Sequence, residues 1–213
     1  NNSTPSISDD GRFVAFYCSG DLFPDDHGLS GICIKDRQTK TLEAIRLPNS
    51  EEEGSYDHGS EPDISADGSL VVFHGAETNP WRANVFIYDR GTKVLTRLTD
   101  GNDDSHSAVI SANNRYVAFY SEATDLVPND TNTGTDTFVF DRETETFERV
   151  SVASNGTQGL FNELDHEGNV GYPGISADGR YVVFMSKVFD SSPDCTQCVD
   201  ADILSPSRAI LTV

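Results

Sequence analysis

Ser60-Glu-Pro-Asp-Ile-Ser-Ala-Asp-Gly-Ser-Leu-Val-Val-Phe73 is the stretch that decides the fold, because the chain repeats it. It recurs as Ser3-Thr-Pro-Ser-Ile-Ser-Asp-Asp-Gly-Arg-Phe-Val-Ala-Phe16, as His106-Ser-Ala-Val-Ile-Ser-Ala-Asn-Asn-Arg-Tyr-Val-Ala-Phe119 and as Gly171-Tyr-Pro-Gly-Ile-Ser-Ala-Asp-Gly-Arg-Tyr-Val-Val-Phe184. The anchors Ile7, Ile64, Ile110 and Ile175 stand roughly 45–65 residues apart, a repeat period with loop insertions in the first and third copies. Strand a of each copy ends at the Ile-Ser pair. A tight turn follows at Asp10-Gly11, Asp67-Gly68, Asn113-Asn114 and Asp178-Gly179, whose residues tolerate the positive φ of a two-residue hairpin. Strand b is nearly all apolar, as in Tyr116-Val-Ala-Phe-Tyr120, so it must be covered on both faces. Strand c is expected at residues 32–35, 85–88 and 137–140. It turns at Asp36-Arg37, Asp89-Arg90 and Asp141-Arg142 into strand d, such as 147–152.

Stacked blades of four antiparallel strands cover strand b on both faces, so the expected fold is an all-β propeller. The blades fall near residues 3–47, 60–99, 106–152 and 171–213. The fourth copy is weakest, with strand c at Asp202-Ile-Leu204 and strand d at 209–213. In the repeat pattern Ile-Ser-Ala-Asp-Gly-Arg-Tyr-Val-Ala-Phe and in the strand-c pattern Asp-x-Phe-Val-x-Asp-Arg, as in Asp136-Thr-Phe-Val-Phe-Asp-Arg142, the chain resembles the TolB-like propeller repeats, relatives of the WD-repeat group. The resemblance implies an extracytoplasmic protein, periplasmic, secreted or at the cell surface. It specifies a fold and leaves the activity open, since propellers host unrelated functions. No spare strand is visible for closing the ring. A four-bladed ring, a segment of a ring of about six to eight blades and closure by association all remain open, and a segment of a larger propeller is favoured. The chain opens Asn1-Asn2-Ser3 without an initiator Met, which reads as a mature or excerpted chain.

Charge narrows the partners. The 35 Asp and Glu outnumber the 15 Lys and Arg for a net of −20, which excludes the basic footprint a nucleic acid requires. It also disfavours anionic membranes, and no apolar run of about 18 residues exists to span one. Cations and basic partners suit such a surface better.

Strand order puts the long, irregular b–c and d–a connections on one face, at residues 20–31, 48–59, 122–135, 155–171 and 187–201. Within them, Asn129-Asp-Thr-Asn-Thr-Gly-Thr-Asp136 sets Asp130, Asn132 and Asp136 as hard oxygen ligands around Gly134, a pattern suited to Ca²⁺ or to a metal-free Asx turn. His58, His106 and His166 are placed in d–a connections, as solvated loop residues rather than zinc ligands, and His74 at a strand end as a packed residue. Cys18 with Cys33 and Cys195 with Cys198 are candidate disulfides, four free thiols being the alternative, because spacing leaves connectivity open. Trp81, read in a short b–c loop, is a candidate contact residue. Thr4, Glu61, Ser107 and Tyr172, three before each anchor, are candidates for the channel rim. No Gly-x-Ser-x-Gly elbow and no Ser/His/Asp set is recognisable. The favoured function is a non-enzymatic module that binds a protein or glycan, or associates with itself in a surface assembly. The alternatives are an accessory propeller of a secreted peptidase-like hydrolase and a glycosidase-like propeller with carboxylates in its channel.

Overall fold

The hydroxyl of each Ile-Ser pair builds the first turn. Ser8, Ser65, Ser111 and Ser176 each donate to the side-chain oxygen two residues on at 2.6–2.7 Å. Each also accepts the backbone N–H five residues on at 2.9–3.0 Å. The serine carbonyl takes the N–H of Gly11, Gly68, Asn114 or Gly179, and these residues turn through φ of 64–73°. The connection thus exceeds the expected two-residue hairpin. It holds four residues, because the serine caps it with both backbone and side chain.

The computed structural model describes residues 4–19, 30–47, 59–78, 81–152, 158, 173–184, 203–205 and 208–212. The first sheet joins β1 (Ser6–Ile7), β2 (Phe13–Ser19), β3 (Ser30–Asp36) and β4 (Leu42–Ile45) in that order. The second joins β5 (Ser60–Ile64), β6 (Leu70–Thr78), β7 (Trp81–Asp89) and β8 (Val94–Arg97). The third joins β9 (Ser105–Ile110), β10 (Tyr116–Ser121), β11 (Asp136–Asp141) and β12 (Thr146–Arg149). All three are antiparallel meanders.

The fourth sheet departs from that pattern. It comprises β13 (Gly174–Ile175), β14 (Tyr181–Phe184), β15 (Ile203–Ser205) and β16 (Arg208–Thr212), in the order β13-β14-β16-β15, with β16 parallel to β14. The later segment therefore takes the inner place expected for strand c. Ala209-Ile-Leu211 is the longer apolar run, and an interior strand needs apolar residues on both faces. Three further placements differ from expectation. Trp81 begins β7, because pairing runs out to Thr78 opposite Trp81. His74 lies within β6 rather than at its end, and His106 lies within β9 rather than in a connection.

The Asp-Arg pairs after strand c clamp each blade. Asp36, Asp89 and Asp141 accept N–H groups of the next turn, and Arg37, Arg90 and Arg142 reach back through Nη1 to the carbonyls of Gly11, Gly68 and Asn114. Arg12 and Arg115 add paired contacts to Asp36 and Asp141. Strands β1, β5, β9 and β13 succeed one another on the inside of the arc. Successive sheets stack on apolar side chains. Ala15 and Ile34 meet Val71 and Phe73, Val72 meets Val117 and Phe119, and Ala118 and Tyr120 meet Val182 and Phe184. Phe73, Phe86, Phe119 and Phe138 are fully buried, each contributing about 2–3 kcal/mol of transfer free energy.

A disulfide joins Cys18 to Cys33 across β2 and β3, with Cα atoms 5.8 Å apart and 15 residues of separation. Cys195 and Cys198 lie outside the described residues. Cross-linking a loop of that length restricts the unfolded chain by about 3 kcal/mol. The Cys18→Ser/Cys33→Ser variant is expected to lose roughly that much stability in urea titration. An unchanged midpoint under non-reducing conditions would refute the link.

Candidate functional site

Two inner strands carry an extra residue at the same repeat position. Register slips by one between Ser60 and Asp63 in β5, and β9 slips equally against Ala118 and Tyr120 of β10. Glu61 and Ser107 sit at these bulges with φ of 53° and 54°, a conformation that costs non-glycine residues about 1–3 kcal/mol. The bulges turn their side chains across the junction of the second and third blades. There Ser107 Oγ donates to Glu61 Oε2 at 3.0 Å.

His74 completes this rim from β6. Its Nε2 lies 2.7 Å from Ser60 Oγ, its Nδ1 accepts the Ser107 N–H at 3.4 Å, and Glu61 Oε2 is 3.6 Å from Nδ1. The His106 ring meets the His74 ring edge-on at 5.0 Å. Burial, and then the nearby His106, hold the His74 imidazole down to about 4, against the pull of Glu61 and Asp104. Neutral His74 with Nδ1 as acceptor must carry its proton on Nε2 and donate to Ser60. Ser60, His74 and Glu61 are therefore spaced like a nucleophile, base and acid, a grouping the sequence did not reveal, but the hydrogen bonds run the wrong way. A general base would need its Nε2 lone pair facing the serine.

Asp63 ties three inner strands together. Its carboxylate accepts from Ser6 Oγ at 2.7 Å and from the Ile110 N–H at 2.9 Å, and burial raises its pKa. It thereby satisfies an inner-edge N–H of the next blade. Of the other rim candidates, Thr4 is exposed on the first blade, and Tyr172 lies outside the described residues.

The Asn129–Asp136 loop holds its own cation. Arg149, from the end of β12, places Nη1 2.5 Å from Asp130 Oδ1 and 3.4 Å from Asp136 Oδ2, and all three side chains are nearly inaccessible. Ser151 Oγ also donates to Asp136. Gln158 Oε1 accepts the N–H groups of Thr131 and Asn132 at 3.1 Å, and its Nε2 donates to the Asn129 carbonyl at 2.7 Å. Calcium takes six to eight oxygens at about 2.3–2.6 Å. With the guanidinium between the carboxylates, Asp130, Asn132 and Asp136 do not fit that shell. Among the described residues no group of three or more His, Cys, Asp or Glu side chains is placed to hold a metal. Neither Arg149 nor Gln158 was legible as a loop partner, because both come from later in the chain.

At the opposite, short-turn end, a polar cleft of about 260 Å³ lies between the third and fourth blades, lined by Arg115, Asp141, Glu148, Asp178 and Arg180. Arg115 is already engaged by Asp141 and Glu143.

No protein-family model matches this sequence, and no curated protein matches it. Solved structures do match. TolB from Acinetobacter baumannii is 17% identical with a TM-score of 0.57, over 89% of this chain and 38% of that one. A putative TolB from Agrobacterium tumefaciens is 17% identical with a TM-score of 0.50, over 70% of this chain and 49% of that one. The β-propeller domain of the Trilobed protease from Pyrococcus furiosus is 17% identical with a TM-score of 0.50, over 68% of this chain and 40% of that one. The chain spans less than half the length of each. The likeness is one of fold: this is an all-β chain whose sheets match β-propeller structures.

Two outcomes follow from the rim and the loop. An unfolded histidine titrates near 6.5. Between there and about 4 the unfolded chain therefore binds a proton that folded His74 does not. Stability should fall as pH drops through that window, by up to about 3 kcal/mol, and be insensitive to this group above it. Asp63, whose carboxyl is raised from its ordinary value of 3.8, acts in the opposite sense from there upward, within the same acidic range. Urea midpoints for the parent and His74→Gln across the window check this, and equal slopes would refute it. Arg149→Met should cost about 3–5 kcal/mol by stranding two buried carboxylates. Calcium should raise the melting temperature of that variant and leave the parent unchanged, with or without chelator.

Proposed function

We propose that this chain is a non-enzymatic, extracytoplasmic propeller module that binds a protein or glycan at the inner rim between its second and third blades. The observation that carries the reading is the bulge pair. Two non-glycine residues, Glu61 and Ser107, hold left-handed conformations at equivalent places and meet across a blade junction. Strain of that kind persists where surrounding structure enforces it, and it gathers at ligand sites. The rim offers a carboxylate, hydroxyls and imidazoles, which suit the amines of a basic peptide or the hydroxyls of a sugar. An overall charge of −20 draws cationic partners and repels nucleic acid. The tautomer imposed on His74 favours binding over hydrolysis. The Cys18–Cys33 disulfide supports an oxidising compartment.

The test pairs binding with reactivity. A glycan array and a panel of lysine- and arginine-containing peptides are presented to the parent and to Glu61→Gln/Ser107→Ala, with bound protein quantified. Binding that drops at least about tenfold in the double variant supports the reading. Equal binding by both proteins, or labelling of Ser60 by a fluorophosphonate probe, would overturn it.

A further inference from the structure

The two nitrogens of the His74 ring are committed to different blades. Nε2 faces Ser60 Oγ at 2.7 Å within the second blade, and Nδ1 accepts the Ser107 N–H of the third at 3.4 Å. That contact holds Ser107 at its left-handed bulge, where the serine hydroxyl donates to Glu61 Oε2. Glu61 Oε2 also stands 3.6 Å from Nδ1, so one carboxylate oxygen lies within reach of both the ring and the serine.

This arrangement requires a neutral ring. An imidazolium carries a hydrogen on each nitrogen and accepts nothing. A hydrogen on Nδ1 would point at the hydrogen of the Ser107 N–H, and the acceptor beside it is Glu61 Oε2. The protonated ring therefore pairs with Glu61. The Ser107 N–H then loses its acceptor, and the Ser107 hydroxyl meets competition for the same oxygen. A left-handed serine persists only while its surroundings enforce it. The titratable groups facing His74 are Glu61 from β5, His106 from β9 and Asp104 just before β9. Glu122, after β10, faces His106, Asp104 and Asp103. With both rings neutral, the charge these groups present is that of carboxylates, which suits a cationic ligand.

We propose that the rim holds a lysine or arginine side chain of a basic peptide on the Glu61 carboxylate, and that a proton on His74 displaces it by pairing with that carboxylate. The proposal rests on the reading of the rim as the binding site. Ligand cation and imidazolium compete for one acceptor, so each weakens the binding of the other by the same factor. The rim binds at neutral pH and releases in acid.

Two measurements test this. In the ligand-free protein, the His74 ring nitrogens and the Ser107 amide are followed by ¹⁵N NMR as pH is lowered. Both should change with one midpoint. His106→Gln should move that midpoint up by removing a like charge, and Glu61→Gln should move it down by removing the partner. A Ser107 amide that ignores the His74 titration, or a midpoint unmoved in both variants, would overturn the switch. Fluorescence anisotropy of a labelled oligolysine peptide gives the affinity across the same range. The parent should lose about tenfold in affinity for each pH unit below the midpoint, and His106→Gln should begin its loss at higher pH. His74→Gln should fall less steeply, since only carboxylates remain to titrate. Equal slopes in the parent and His74→Gln would refute the competition and leave the rim as a binding site. A neutral sugar that binds through Glu61 and Ser107, with no peptide binding, would refute the cationic ligand alone. Binding of neither would overturn the rim reading and this inference with it.

Discussion

The close approach of a turn to the aromatic ring of the preceding blade sets the geometry on which the rest depends. Gly68 against Phe13 and Gly179 against Tyr116 leave no room for a Cβ. Because the turn glycine must also adopt positive φ, one residue type meets two demands at once, conformational freedom and absence of bulk. That spacing brings strand b of the second and fourth blades into the apolar layer between sheets, where Val71 and Val182 are wholly buried. The approach of Gly68 to Phe13 also brings β1 and β5 near enough for Asp63 to hold Ser6.

The rim and the loop show two ways of managing buried charge. At the rim, a histidine loses its proton rather than carry charge into a desolvated place beside a second histidine. In the loop, two carboxylates keep company with an arginine, whose always-charged planar head can bridge both. The second arrangement does structurally what a bound cation would do, with the charge covalently attached to the chain.

Much of this was legible in the repeat. The Ile-Ser-x-Asp-Gly turn, the apolar strand b and the Asp-Arg corner are local, and each side chain involved acts within a few residues or on an adjacent strand. Glu61 and Ser107 were legible as equivalent positions. Their bulges, their mutual hydrogen bond and the His74–His106 contact were not, since these depend on how two blades meet. His74 and Trp81 were misplaced because strands β6 and β7 extend beyond their apolar centre through a polar stretch, where pattern falls silent and pairing decides.

The sequence by itself determined the repeating unit, the places of its turns and the order of strands in three blades, because those follow from hydrogen bonds and periodicity within about ten residues. Only the tertiary structure decided the rest: the parallel placement of β16, the arginine between Asp130 and Asp136, and the meeting of Glu61 with Ser107 across a blade junction. The reason is physical. Desolvation and close packing are set by whatever arrives from distant parts of the chain, and no local pattern encodes what will lie on the other side of a strand.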